Sequence, residues 1–116
     1  MSEDIESIIR ARVEGATGVT ALYEVPSKRP SELVTVELTG ETARERGIIR
    51  TATLDVCSWC DTRAAACGLC DKVRDALMGI DHPAVFRVSV ASVFRDRALD
   101  GGAWRYHLVI NVDYCA

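Results

Sequence analysis

Apolar residues recur along this chain in two different periods, and each change of period marks the border of an element. Between Ser2 and Glu14 they fall at Ile5, Ile8, Ile9 and Val13. That is the spacing of one helix face, with acids in the first turn and Gly15 just past the end, so a short amphipathic helix is predicted. Val19, Ala21, Tyr23 and Val25 then alternate with Thr20, Leu22 and Glu24 until Pro26 and Pro30 close a loop. This reads as a strand followed by a turn region. Val34, Val36 and Leu38 alternate with Thr35 and Glu37, a second strand that runs out at Thr39-Gly40.

The stretch from Gly40 to Gly47 is charged, lacks an apolar face and is bounded by glycines, which predicts an exposed loop. Ile48 to Trp59 reads as a long strand with Ala52, Leu54 and Val56 toward the core and Thr51, Thr53, Asp55 and Cys57 facing the other way. At Asp61-Thr62 the period changes again. Thr62 suits an N-cap, Ala66, Leu69, Cys70, Val73, Ala76 and Leu77 follow at helical spacing, and Gly79 is the stop. After His82-Pro83, Phe86, Val88, Val90 and Phe94 alternate with Arg87 and Ser89. A polar connection from Arg95 to Ala103 leads into Trp104, Tyr106, Leu108, Ile110, Val112 and Tyr114, which alternate with Arg105, His107, Asn111 and Asp113. This pair of strands reads as a hairpin.

The fold class expected is α+β: a mainly antiparallel sheet of about five strands with two helices packed on one face, in the order α-β-β-β-α-β-β. Residues 1–116 form one domain, because a chain of 116 residues supports one core and no linker or repeat divides it. The sheet face carrying Thr51, Thr53, Asp55, Arg105, His107 and Asn111 is polar, and an antiparallel sheet leaves such a face wet or lays it against a partner.

Composition changes this picture little. With 48% hydrophobic and 27% charged residues the chain is ordinary for a globular protein. Fourteen basic against seventeen acidic residues give a charge of -3 without any block of like charge. Non-specific nucleic-acid binding, which draws on many released counterions, is disfavoured. All the basic residues except Lys28 and Lys72 are Arg, whose planar fork suits carboxylates at protein interfaces. The acidic start Met1-Ser2-Glu3-Asp4 does not match a signal peptide, and no apolar run is long enough for a membrane span. Five cysteines are then expected as thiols in a reducing cytosol.

Cys57-Ser-Trp-Cys60 and Cys67-Gly-Leu-Cys70 are the pattern with most chemical content, since paired C-x-x-C units can give four thiolates to zinc. Only residues 61–66 separate the pairs, shorter than a zinc ribbon allows, and residues 57 and 60 of an extended strand point to opposite faces. Core packing is the reading adopted, with no cofactor; a zinc-binding or redox-regulated adaptor using Cys57, Cys60, Cys67 and Cys70 stays open as the alternative. His82 and His107 lack a motif-spaced nucleophile or carboxylate and are expected as surface histidines. No Walker loop or G-x-G-x-x-G is present, and Trp59 and Trp104 are assigned to packing. No catalytic set can be named, so an enzyme is not expected.

The N-terminal helix, the strand Leu33-Val34-Thr35-Val36 after a proline loop, the charged loop, the strand Leu54-Asp55-Val56-Cys57-Ser58-Trp59 and the helix ending Val73-Arg74-Asp75-Ala76-Leu77 together resemble the tail terminators of long-tailed bacteriophages and prophages. The clustered cysteines depart from the small and aliphatic residues of that pattern. The resemblance implies a virion protein, assembled in the bacterial host cytoplasm. It would form a ring, expected to be a hexamer, at the head-proximal end of the tail tube. There it would stop polymerisation of the tail tube protein and dock the head connector or neck. On that view the interface residues are Arg44, Glu45 and Arg46 in the first loop and Arg95, Asp96, Arg97 and Trp104 in the second. Another neck or head-tail joining protein is the nearest alternative.

Overall fold

The computed structural model describes residues 4–44, 48–97 and 102–115, without the side chains of Arg44 and Arg97. The elements are α1 (Ile5–Thr17), β1 (Ala21–Leu22), β2 (Glu32–Arg44), β3 (Ile49–Cys60), α2 (Arg63–Met78), β4 (Val85–Arg97) and β5 (Trp104–Cys115). They form a five-stranded sheet in the order β1-β2-β3-β5-β4, antiparallel except for the parallel β1–β2 pair. Both helices lie on one face, in the element order expected.

Each helix begins where a side-chain oxygen satisfies a backbone N–H that has no partner within the helix. Asp4 accepts from the Ser7 N–H at 2.7 Å, and Thr62 accepts from the Ala65 N–H at 3.2 Å. Helix α1 runs through Gly15 and ends at Gly18, not at Gly15, because Gly18 takes the left-handed conformation (φ 74°) and donates to the Glu14 carbonyl. The C-terminal carbonyls of α2 are met by a neighbour: Arg12 of α1 donates to the Ala76 carbonyl at 2.8 Å. Ile5, Ile9 and Val13 of α1 and Leu69, Val73 and Leu77 of α2 close over Val34, Val36, Leu54, Val56, Leu108, Ile110 and Val112 of the sheet. The period-3.6 and period-2 stripes meet in that layer.

Three backbone irregularities separate the observed strands from the expected ones. Strand β2 does not stop at Gly40. Thr39 is the extra residue of a bulge, after which Glu41 pairs with Ala52 and Arg44 with Ile49. A bulge reverses the alternation, so the apolar period ends while the strand continues. In β4, Phe86 and Ala91 are likewise extra residues. Val88 and Val90 therefore face the helices while Phe94 faces away, opposite His107, instead of all lying on one face. Residues 95–97, expected in a loop, pair with β5, and Asp96 stands opposite Arg105. At the other edge the strand expected over residues 19–25 shrinks to Ala21–Leu22. Tyr23 and Val25 leave the sheet and are exposed just before Pro26, which has no N–H to donate to a ladder.

Near the turn between β2 and β3, Glu41 Oε1 accepts from the Tyr114 hydroxyl at 2.8 Å and from Arg50 Nη1 at 3.2 Å. Burial and the Glu41 charge push the Tyr114 phenol above its ordinary range near 10. Folding thus favours the neutral phenol. Its contribution is fully present below the unfolded value near 10 and is lost as pH rises through the higher folded value. The expected result is an alkaline unfolding limb that flattens in Tyr114→Phe, read by chemical denaturation between pH 8 and 11.

Candidate functional site

Because β3 and β5 are paired, residues far apart in sequence line up on the sheet face away from the helices. One row crosses four strands as Thr35, Cys57, His107 and Phe94, and the row beside it as Leu33, Trp59, Arg105 and Asp96. Leu33, Cys57, Trp59 and Ala103 form a small second core there, with Leu22 packed against it. Trp59 donates its indole N–H to Thr35 Oγ1 at 2.9 Å, and the Arg105 guanidinium lies 4.9 Å over the indole ring.

Polar groups converge beside this apolar floor. His107, expected at the surface, is buried instead, its side chain 10% exposed. Its ring stacks on Phe94 with centroids 4.3 Å apart. Nδ1 lies 2.8 Å from Asp55 Oδ2 and 3.3 Å from Cys57 Sγ, while Nε2 lies 3.3 Å from Asp96 Oδ1. The Cys57 thiol donates to Asp55 Oδ1 at 3.5 Å. Asp96 is gripped by Arg105 through two hydrogen bonds of 2.7 and 2.6 Å, which hold its carboxyl below the usual range. A cleft of about 300 Å³ opens onto the group, with Glu24 and Glu37 also on its wall. Further along the face, Thr53 donates to Asn111 at 2.8 Å and Thr51 to Asp113 at 2.7 Å.

A cysteine beside a histidine and a carboxylate invites comparison with a nucleophile and base. The electrostatics oppose it. Burial, followed by the Asp55 charge, pushes the Cys57 thiol far above its normal range, the reverse of what a nucleophilic sulfur requires.

The remaining predicted residues are scattered. Cys60 and Cys70 are buried in the main core, Cys67 is half-buried, and Cys57 lies on the opposite sheet face, so the four sulfurs do not gather. Burial drives the Cys70 thiol up to about 11. Arg95 is exposed near the end of β4, Asp96 is committed to Arg105, and Trp104 packs against the main core. Arg44 ends β2 and Arg97 ends β4, whereas Glu45 and Arg46 fall outside the described residues. His82 lies in a turn and accepts from the Ala84 N–H at 3.1 Å. The trio Asp55, Cys57 and His107 escaped sequence reading because its members approach only through the β3–β5 register. The one legible trace was a histidine amid polar residues on an otherwise clean strand.

In class, the molecule is an α+β sandwich of one helical layer on a mainly antiparallel sheet, with a built polar face on the uncovered side. No family model matches the chain and no curated protein matches it. Among solved structures, a chain in the structure titled "Virion of native gene transfer agent (GTA) particle" has the same fold. The TM-score is 0.71, covering 97% of this chain and 95% of that one at 16% identity.

Proposed function

We propose that this chain is a structural protein of a phage-like virion, acting as a tail terminator without catalysis. The observation that carries the reading is the whole-chain likeness in fold to a chain of the gene transfer agent virion. In this reading, subunits close into a ring, with six as the expected number, at the head-proximal end of the tail tube. The ring ends growth of the tube protein and presents a surface to the head connector.

The form of the subunit supports such assembly. A ring requires two different surfaces on each copy, so that one end of a subunit meets the other end of the next. The molecule extends 45 Å in its longest direction, and the strand pairings put the end of β2 and the end of β4 at opposite ends of the sheet. Among the described residues the sheet also offers two edges to a neighbour: the outer side of β4, and β2 past Leu38, whose N–H is taken by Glu6 of α1. Phe86, Val90, Val93 and Phe94 are exposed along β4. Arg44, Glu45 and Arg46, where the chain passes from β2 to β3, and Arg95 and Arg97, at the end of β4, are the proposed polar contacts.

Mass in solution, measured by light scattering with and without tail tube protein, tests the reading. A closed oligomer, or one formed on the tube, is the expected result; monomers under both conditions would sink it. Reversing the charge of Arg44 and Arg46 together is expected to abolish joining of tails to heads or ring closure. Headless tails that lack the protein at the tube end would assign it instead to the neck.

A further inference from the structure

We propose that Asp55, Cys57 and His107 form a binding site for a divalent transition-metal ion, zinc by ligand type, on the sheet face away from the helices. One ligand atom from each residue lies within 4.8 Å of the others. The separations are 3.3 Å from Cys57 Sγ to His107 Nδ1, 2.8 Å from Nδ1 to Asp55 Oδ2 and 3.5 Å from Sγ to Asp55 Oδ1. Sulfur, imidazole and carboxylate around tetrahedral zinc stand about 3.3–3.6 Å apart, given bonds of about 2.0–2.3 Å. These separations lie within about half an ångström of that spacing; Asp55 meets Nδ1 and Sγ through different oxygens, so its carboxylate either turns to present one of them or binds through both.

The surroundings are those of a ligand set held in place. A metal-bound histidine commonly donates its other ring N–H to a carboxylate, which fixes the tautomer. Here Nε2 faces Asp96, and Asp96 is itself locked by both Arg105 hydrogen bonds. Phe94 stacks on the ring and fixes its plane. All three ligands sit on paired strands, Asp55 and Cys57 on β3 and His107 on β5, so the site needs no loop to order.

Proton counting gives a second argument. A neutral imidazole carries one N–H, yet carboxylate oxygens face both nitrogens of His107. One nitrogen then points a lone pair at an acceptor. A cation bound at Nδ1, Asp55 and Cys57 removes that conflict and leaves Nε2–H to Asp96; a second ring proton is the competing solution. The cation displaces the thiol proton to solvent, its charge offsetting the burial and the Asp55 carboxylate that otherwise keep the sulfur protonated. Any further ligand enters from the cleft, where Glu37 stands beside Asp55 on the neighbouring strand. The set of one sulfur, one nitrogen and one oxygen suits zinc better than magnesium or calcium, which prefer oxygen alone.

The test is titration of the purified, chelator-stripped chain with Co²⁺, followed by displacement with Zn²⁺ and native mass spectrometry. The expected result is one metal per chain and a thiolate-to-cobalt charge-transfer band that Zn²⁺ abolishes. Cys57→Ser should lose the band, and Cys115→Ser, at the exposed thiol, should keep it. Asp96→Asn retains all three ligands and should weaken binding about 10–100-fold. Circular dichroism establishes that each variant is folded. A folded wild-type chain that takes up no metal, or a band that survives Cys57→Ser, overturns the proposal; so does ¹⁵N NMR showing His107 doubly protonated with Zn²⁺ in excess.

Discussion

Leu54→Ala is expected to destabilise the chain by about 2–5 kcal/mol, the range for deleting a fully buried leucine side chain. Leu54 has no exposed surface and stands in the middle strand, with Leu38 and Ile110 opposite it on the same face. Helices cover that row, so the void left by the missing carbons cannot fill from solvent, and close-packed neighbours relax only in part. A domain of this size is stable by about 5–15 kcal/mol, so the change removes a large fraction of the total. Urea unfolding followed by tryptophan fluorescence should show a lower midpoint at unchanged slope. A loss under 1 kcal/mol would mean that the helical layer is not closed over the sheet as described.

Trp59→Ala is expected to cost about 3–5 kcal/mol, although the residue lies outside the main core. Its ring is the floor of the second core, with Leu33, Cys57 and Ala103, and it carries Arg105 above it. Removal also leaves the Thr35 hydroxyl without its indole donor. Because Arg105 in turn holds Asp96, the substitution should loosen His107 as well. Trp59→Phe keeps a buried aromatic ring and loses the N–H with only part of the apolar area, so a smaller effect is expected. Thermal unfolding of both variants, with the His107 ring resonances as a local reporter, separates the two contributions. Equal destabilisation by Phe and Ala would show that the hydrogen bond, not the ring, holds the cluster.

Sequence reading was accurate where one repeating period governs the backbone. The buried set of α2 (Ala66, Leu69, Cys70, Val73, Ala76 and Leu77) is the one that helical spacing selects. The inward faces of β3 and β5 follow equally well from alternation. It failed where a single residue shifts the phase. Gly40 beside Thr39 fits a strand end as well as a bulge, and Phe86 and Ala91 have no glycine or proline next to them, so alternation alone reads the end of β2 as a loop and puts Phe94 in phase with Val88 and Val90. The polar face was legible as polar, but its pairings were not. Asp55 and His107 are joined by the register of two strands with a helix between them, and no local pattern encodes that distance. Conversely, the C-x-x-C repeat looked like chemistry, and the strand geometry places its first two cysteines on opposite faces.

The bulges of β4 guard the outer edge of the sheet against indiscriminate strand pairing. A long straight outer strand invites any extended polypeptide to zip onto it, the route by which sheet proteins form fibres. Phe86 and Ala91 interrupt that strand, so its free amides and carbonyls do not form one continuous row. Only a backbone that bends at the same points can follow it. Stray chains are thereby turned away.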